Sequence, residues 1–334
     1  MANSPQILTD NFGRKHTYLR ISLTEKCNLR CTYCMPAAGI PLSPRANLMS
    51  ANEIFEIAKL FVTNGVNKIR LTGGEPFVRK DFEIIIRKLA TLNVEIAITT
   101  NGILLERFLP LLKELDIFNI TISIDSLNTE KNVEITRRNY FDSVWNAIKT
   151  MQKIVPFVKL NVVLMKGIND NEIIDFIKLT IKENLKIRFI EFMPFDGNAW
   201  NTDKLVSEAF ILNKANDHFN KQVLRLKDKP NDTSRNYKIK ESIGGFAIIS
   251  SVTNPFCDTC NRIRLTADGK LKNCLFSNNE TNLLEDFRNN IDITSKIKLA
   301  IGNKHKSRGG MDTLKKLTDP KLHGNNRSMI AIGG

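Results

Sequence analysis

Six cysteines in two groups of three are the residues of this 334-residue chain whose spacing most directly indicates chemistry. The first trio is Cys27, Cys31 and Cys34, and the second trio is Cys257, Cys260 and Cys274. Thiolates are soft ligands that bind iron–sulfur clusters or zinc. Three cysteines on a four-iron cluster leave one iron without a protein ligand, and a substrate can bind at that open position. Spacing alone leaves zinc as an alternative for both trios.

The overall composition indicates a globular protein with an anionic ligand. Hydrophobic residues make up 42% of the chain and charged residues 25%, and no stretch approaches the ~18 apolar residues of a membrane span. The first 20 residues lack the apolar core of a secretion signal, so we expect a cytoplasmic protein whose cysteines bind metal rather than form disulfides. The net charge of +14 favours nucleotide, nucleic acid or an acidic protein surface as the partner.

Short β-rich runs alternate with helical stretches over the first 200 residues or so, which is typical of βα units in a parallel sheet. The predicted strands are 18–24, 66–72, 94–100, 117–124, 157–164 and 186–193. The predicted helices are 50–64, 81–92, 103–115, 140–155 and 170–184, the first of them opened by a Ser50/Glu53 capping box. Because a closed eight-unit barrel needs about 250 residues, six units predict an α/β fold with an incomplete parallel (β/α)6 barrel.

Polar residues alternate with apolar ones along several predicted strands. In the first, Arg20, Ser22 and Thr24 alternate with Ile21 and Leu23, and the second and fourth strands repeat the pattern. Since side chains alternate across a strand, one face of the sheet is polar. A sheet curved around a polar lumen explains this pattern. The alternative is that these are edge or exposed strands, although helices normally cover both faces of a parallel sheet.

The pattern changes from about residue 200, where Asn, Lys and Asp become frequent. Apolar runs at 246–252 and 261–266, followed by an Asp268-Gly269 turn, predict antiparallel strands with a hairpin. We therefore expect a barrel domain at 1–229 and a smaller C-terminal domain containing antiparallel strands at 230–334.

A basic stretch at 304–327 lies near the end of the chain. It is either a solvated face or a nucleotide contact, and the sequence leaves both interpretations open.

Two motifs at the ends of consecutive predicted strands resemble the radical S-adenosylmethionine (SAM) superfamily. The first trio has Tyr33 before its last cysteine, and the segment Thr-Gly-Gly-Glu-Pro at 72–76 is similar to that superfamily's GGEP element. The resemblance implies that SAM binds the open iron and that a reduced cluster cleaves it to a 5′-deoxyadenosyl radical, which abstracts hydrogen from a substrate. Side-chain-free Gly73 and Gly74 let the backbone come close to SAM.

The whole chain resembles one family within that superfamily more closely, the GTP 3′,8-cyclases (molybdenum cofactor biosynthesis protein A). The matching stretches are 19–24, 27–36, 68–76, 99–102, 123–125, 161–169, 188–193, 256–264 and 333–334. The resemblance implies hydrogen abstraction from ribose C3′ of GTP, attack on guanine C8 and reduction. The product would be (8S)-3′,8-cyclo-7,8-dihydroguanosine 5′-triphosphate, and this would be the first step of molybdenum cofactor biosynthesis.

The same resemblance implies a role for each matching residue. The first trio would hold a 4Fe–4S cluster that binds SAM, and the second trio a second 4Fe–4S cluster whose open iron faces guanine. The expected SAM contacts are Tyr33, Gly74, Ser123 and Met193. The expected GTP contacts are Arg20, Lys68, Arg70, Thr99, Lys166, Arg188, Arg262 and Arg264. The terminal Gly333 and Gly334 would thread into the active site and act in catalysis.

The family also suggests partners beyond GTP. We expect a homodimer, an external one-electron reductant and a downstream cyclic pyranopterin monophosphate synthase, with no membrane and no nucleic acid. One alternative is a radical SAM enzyme acting on a peptide, which does not explain Arg262 and Arg264 beside the second trio. Another is a zinc-stabilised, RNA-binding basic protein, which does not explain the glycines at 73–74 and lacks an evident stacking platform.

Overall fold

Six parallel strands form the centre of one sheet in the computed structural model, which describes residues 7–319 and 326–333. They are β1 (Tyr18–Ser22), β2 (Lys68–Thr72), β3 (Glu95–Thr100), β4 (Asn119–Ser123), β5 (Val158–Leu164) and β6 (Leu185–Glu191). Each pairs in parallel with the next along the chain. All six strands predicted from the sequence are confirmed.

Helices connect these strands and cover the outer face of the sheet. They are α1 (Ala51–Thr63), α2 (Phe82–Ala90), α3 (Leu105–Glu114), α4 (Thr129–Thr136), α5 (Phe141–Gln152), α6 (Ile173–Lys182) and α7 (Glu208–His218). The predicted capping box is present, because the Ser50 side chain accepts from the Glu53 N–H and the Glu53 carboxylate accepts from the Ser50 N–H. Two of these helices, α4 and α7, were not predicted, since α4 is short and largely polar and α7 lies in the Asn-rich region after residue 200.

The C-terminal strands extend the same sheet at both of its edges. They are β7 (Val223–Arg225), β8 (Arg235–Ile239), β9 (Gly245–Ile249), β10 (Arg262–Leu265), β11 (Lys270–Lys272) and β12 (Thr281–Asn282). The order β12-β11-β10-β1-β2-β3-β4-β5-β6-β9-β8-β7 leaves the sheet open, with antiparallel pairs only in its outer parts. This confirms the incomplete barrel with antiparallel C-terminal strands.

The chain beyond residue 229 is thus joined to the barrel by backbone hydrogen bonds. Strand β9 pairs in parallel with β6, and β10 pairs in parallel with β1. The predicted hairpin is present, with Arg264 opposite Lys272 across the Asp268-Gly269 turn. The domain boundary between 229 and 230 stays a prediction. Further helices follow, which in the described residues are α8 (Leu284–Arg288), α9 (Thr294–Gly302), α10 (Leu314–Thr318) and α11 (Met329–Ile332).

The hydrophobic core lies between the sheet and its helices. Along β5 the buried residues Val158, Leu160, Val162 and Leu164 alternate with half-buried ones on the inner face. Phe176 of α6 packs edge-on against Phe189 of β6, with 6.2 Å between ring centroids. Truncating such a fully buried phenylalanine costs about 3–5 kcal/mol. Strands β1, β2 and β4, whose sequences alternate polar and apolar residues, lie inside the sheet, so the alternative of edge or exposed strands is wrong.

The helices carry no sign of membrane insertion. Among those in the described residues, none is both long enough and apolar enough to cross a bilayer.

Candidate active site

A cavity of about 1070 Å³ opens inside the curved sheet. It is lined by most of the residues that the sequence singled out: Arg20, Cys27, Cys31, Tyr33, Cys34, Lys68, Arg70, Gly74, Thr99, Ser123, Arg188, Met193, Cys257, Cys260, Arg262, Arg264 and Cys274. Residues more than 200 positions apart therefore face one space. Parallel strands explain part of this arrangement, because their carboxyl ends meet at one edge of the sheet.

The first trio lies on a loop that follows β1. The loop turns tightly, since the Cys34 and Met35 N–H groups both donate to the Cys31 carbonyl at 3.0 and 3.1 Å. It is anchored on α4, where the Thr32 N–H donates to the Ile135 carbonyl at 2.9 Å. The Leu29 N–H donates to the Cys27 sulfur at 3.4 Å. The unpredicted helix α4 thus supports the loop that carries three candidate ligands.

The surroundings of the first trio are apolar and acidic. Burial raises the pKa of Cys27 to about 11 and that of Cys34 to about 12, and the Glu75 and Asp125 carboxylates add to these shifts. The Tyr33 hydroxyl donates to Asp125 at 2.8 Å. Glu75 is itself buried, which raises its pKa to about 7. The thiols of this trio therefore hold their protons until a metal displaces them.

Glycine is required at 73 and 74 by the protein's own backbone. A Cβ on Gly73, whose φ is +150°, would lie 2.7 Å from the Thr24 carbonyl oxygen, and one on Gly74 would collide with the Lys26 carbonyl. The Gly74 N–H donates to the Thr24 carbonyl at 2.7 Å. Close packing against the loop before Cys27 thus accounts for the paired glycines, in addition to any approach by SAM.

The second trio lies in basic surroundings. The Lys304 ammonium donates to the Cys260 sulfur at 3.4 Å, and the backbone N–H of Arg308 donates to the Cys257 sulfur at 3.4 Å. Burial alone raises the pKa of Cys260, but Arg262 and Lys304 outweigh it and lower that pKa to about 6. Thiolate is therefore the stable form of Cys260 even without metal.

None of the six cysteines forms a disulfide in the structure. In the described part of the chain, no three His, Cys, Asp or Glu side chains converge as ligands of a single metal ion. A four-iron cluster binds each thiolate through a different iron, so its ligands need not converge on one point.

A row of arginines crosses three adjacent strands on the cavity side. Arg264 of β10, Arg20 of β1 and Arg70 of β2 are register partners. Burial, together with repulsion from neighbouring arginines, lowers the pKa of Arg20 to about 10, and the same causes lower the pKa of Arg188 on β6 to about 10. Like charges on paired positions destabilise a sheet, so this row favours a bound anion.

The contacts of these arginines are mainly to neutral oxygens. Arg70 donates to the hydroxyls of Tyr18 and Thr99, the latter at 3.1 Å, and Arg264 donates to the Gly333 carbonyl. The charged neighbours also act on Tyr18, whose pKa burial would raise but Arg70 and Arg20 lower to about 8. These contacts orient the guanidinium groups of Arg70 and Arg264.

Two of the expected site residues in the described part of the chain, Lys166 and Gly333, do not line the cavity. Lys166 is exposed and does not reach it, and Gly334 lies outside the described residues. Gly333 packs nearby, where an added Cβ would lie 2.5 Å from the Thr72 hydroxyl oxygen and 3.0 Å from the Ser22 Cβ. The roles assigned to these residues stay predictions.

Lys159 is a cavity residue that the sequence reasoning missed. It lies on the inner face of β5, and its ammonium donates to the Asn119 amide oxygen at 2.9 Å. Burial and the nearby Arg70 and Arg188 lower its pKa to about 8. The sequence pattern could have identified Lys159, because Lys159, Asn161 and Val163 alternate with buried residues. Lys159 and Asn161 thus lie on the polar face of a predicted strand.

Comparisons with known proteins agree with this geometry. The radical SAM superfamily matches residues 21–180, and the family described as Molybdenum Cofactor Synthesis C matches residues 185–309. The mitochondrial GTP 3′,8-cyclase of Arabidopsis thaliana is 46% identical over 334 residues, covering 98% of this chain and 84% of that protein. The GTP 3′,8-cyclase of Peptoclostridium acidaminophilum is 39% identical over 309 residues, covering 90% of this chain and 93% of that protein.

Other relatives are longer. The molybdenum cofactor biosynthesis protein moc-5 of Caenorhabditis elegans is 48% identical over 300 residues, covering 88% of this chain, which spans only 50% of that protein's length. Among solved structures, Streptococcus suis SuiB bound to S-adenosylmethionine is 17% identical with a TM-score of 0.56, covering 94% of this chain and 68% of that one. This likeness shows a shared fold. On the identity and coverage of its relatives, the chain belongs to the GTP 3′,8-cyclase family of the radical SAM superfamily.

Proposed function

We propose that this chain cyclises GTP to (8S)-3′,8-cyclo-7,8-dihydroguanosine 5′-triphosphate, the first step of molybdenum cofactor biosynthesis. The observation that carries the proposal is the row formed by Arg264, Arg20 and Arg70 in a cavity that also contains both cysteine trios. GTP carries about four negative charges near neutral pH, so a triphosphate would compensate these buried cations.

The first trio would hold the 4Fe–4S cluster that binds SAM. Its three thiols share one wall of the cavity, and three ligands leave one of four irons open. Tyr33, Gly74, Ser123 and Met193 border the same space and would contact SAM, as in the family. When bound, the reduced cluster and SAM supply one-electron cleavage of SAM and hydrogen abstraction. Glu75 supports the site by accepting from the Asn101 N–H at 2.7 Å, which ties the end of β3 to the loop after β2.

The second trio would hold a 4Fe–4S cluster beside the guanine. Arg262 and Arg264 are two apart on β10, so both face the cavity, where Arg264 is one end of the arginine row. We assign triphosphate binding to Arg20, Lys68, Arg70, Thr99, Arg188, Arg262 and Arg264, and to Lys166 after movement of its exposed loop. Gly333 is held at the cavity by Arg264, which supports a catalytic role for the C-terminal glycines.

We further propose a homodimer, an external one-electron reductant, a downstream cyclic pyranopterin monophosphate synthase and a cytoplasmic location. The six free thiols support a reducing compartment. The need for an external reductant follows from the proposed chemistry, because SAM cleavage and the reduction that follows cyclisation each consume one electron.

The test is anaerobic turnover of protein loaded with iron and sulfide. SAM and a strong reductant are added with GTP, with ATP or with neither nucleotide, and 5′-deoxyadenosine and any product isomeric with GTP are measured. We expect both to rise with GTP alone. Formation of 5′-deoxyadenosine that is indifferent to GTP would contradict the cyclase and favour a peptide substrate. Bound zinc without sulfide would contradict radical chemistry altogether.

A further inference from the structure

A buried lysine touches a cysteine of the second trio. The Lys304 side chain is only 3% exposed, and its ammonium lies 3.4 Å from the Cys260 sulfur and 2.8 Å from the Arg262 carbonyl oxygen. Burial of an ammonium is costly unless it is well hydrogen-bonded. The solvated-face interpretation of the basic stretch is therefore wrong at Lys304, which sits against a candidate cluster ligand.

An arginine from the other end of the chain holds this contact in place. Arg14 donates to the Cys257 carbonyl, the Lys306 carbonyl and the His305 carbonyl, each at 2.8 Å. Arg14 is fixed in turn by Asp10, whose carboxylate lies 2.6 Å from the arginine Nε. The segment after Lys304 is thus clamped to the loop of the second trio. Lys304 also follows α9 directly, where the helix dipole favours a cation.

At the first trio the neighbouring cation, Arg30, donates to the Cys27 carbonyl at 3.0 Å rather than to a sulfur. The Cys27 sulfur accepts instead from the neutral Leu29 N–H, at 3.4 Å. At the second trio the Cys260 sulfur accepts from a charged donor, the Lys304 ammonium, at 3.4 Å. Hydrogen bonds to sulfur and nearby charge are the main protein controls on the potential of an iron–sulfur cluster.

We propose that Lys304 is a positioning residue that raises the reduction potential of the second cluster through its hydrogen bond to Cys260. This rests on the proposed function, in which the second trio holds a 4Fe–4S cluster. An ammonium at the sulfur withdraws electron density from the thiolate and stabilises the reduced, more negative cluster. The same withdrawal makes the open iron a stronger acceptor for a substrate nitrogen or oxygen.

The test is an EPR-monitored redox titration of the full chain with both clusters loaded. The variants are Lys304→Met, which removes charge and donor, and Lys304→Gln, which removes the charge alone. Lys306→Met is the matched control, because Lys306 is exposed and only its backbone carbonyl enters the clamp. A variant with the first trio replaced by serine identifies the signal of the second cluster.

We expect Lys304→Met to lower the reduced-to-oxidised ratio of the second cluster about tenfold at a fixed potential, equivalent to 59 mV for a one-electron couple. In Lys304→Gln the reduced-to-oxidised ratio should lie between the wild-type and Lys304→Met values. The first cluster should keep its wild-type reduction potential in both Lys304 variants. In Lys306→Met both clusters should keep their wild-type reduction potentials. An unchanged reduction potential of the second cluster in Lys304→Met overturns the proposal. Loss of the second cluster's iron from both Lys304 variants also overturns it, because Lys304 would then have a purely structural role.

Failure of the proposed function gives a different result. In that case the wild-type protein itself shows no second-cluster signal or no GTP-dependent product. If the wild-type protein has two clusters and turns over GTP, but Lys304→Met leaves the reduction potential of the second cluster unchanged, only the role of Lys304 is rejected.

Discussion

The two cysteine trios offer the same ligand atoms to one cavity but in opposite electrostatic surroundings. At the first trio, burial and the Glu75 carboxylate raise the pKa of Cys27 to about 11. At the second, cations lower the pKa of Cys260 to about 6. Under the proposed function, neighbouring charges, rather than the cysteine spacing, would separate the tasks of the two sites. An acidic neighbourhood suits a strongly reducing cluster, and a basic one suits a site that binds an anionic substrate.

Removal of one trio at a time is the change with the largest expected effect. Replacing the first trio by serine should reduce 5′-deoxyadenosine formation to background, because SAM loses its metal anchor. Replacing the second trio should leave SAM cleavage measurable but independent of GTP. The measurements are iron content and 5′-deoxyadenosine with and without GTP. Equal behaviour of the two variants would remove the functional distinction between the trios.

Thiol reactivity of the metal-free protein tests the pKa difference directly. At about pH 7, Cys260 should be mostly thiolate and Cys27 almost wholly protonated, since pH lies above the first pKa and far below the second. After allowing for the lower intrinsic nucleophilicity of a low-pKa thiolate, Cys260 should alkylate about a hundredfold faster. Its rate should fall as pH drops below about 6. Mass spectrometry of iodoacetamide-treated protein, with Cys260→Ser as control, measures both rates.

Arg264→Ala should weaken GTP use about ten- to a hundredfold, because a charge-assisted hydrogen bond contributes about 1.5–3 kcal/mol. Iron content should stay near wild type, since Arg264 contacts Gly333 rather than a cysteine. Arg87→Ala is the control, because it removes an equal charge from an exposed pair with Glu114. The measurement is KM for GTP together with iron per chain. Loss of iron in Arg264→Ala alone would mean that this arginine supports the second trio instead of substrate.

Gly333→Ala should have the smallest effect of the set, lowering cyclisation about tenfold with both clusters intact. The new Cβ would press on Thr72 and Ser22, and overpacking costs about 1–3 kcal/mol. Gly39→Ala is the matched control, because Gly39 also has a positive φ, +82°, but its Cβ would meet nothing within 4 Å. Product formation and iron content are compared. Full activity in Gly333→Ala would show that the contact of the tail with β1 and β2 is dispensable.

Much of the central fold could be predicted because its signals are local. The six central strands follow from alternating patterns within five to seven residues, and α1 follows from a capping box at Ser50. Helices α4 and α7 were missed because their apolar faces are weak in isolation. Ile135 of α4 is buried only once the first-trio loop packs against it, so tertiary contact overrides its polar sequence.

By itself, the sequence determined the two cysteine trios, the run of βα units, the paired glycines and the family. These depend on residue type and short spacing. Only the tertiary structure decided that Arg264 lies beside Arg20, that Lys159 enters the cavity and that Arg14 clamps the segment beside Lys304 to the second trio. Strand register and burial join residues up to about 290 positions apart. The charge at each cysteine is a sum over such distant neighbours, so no local pattern encodes it.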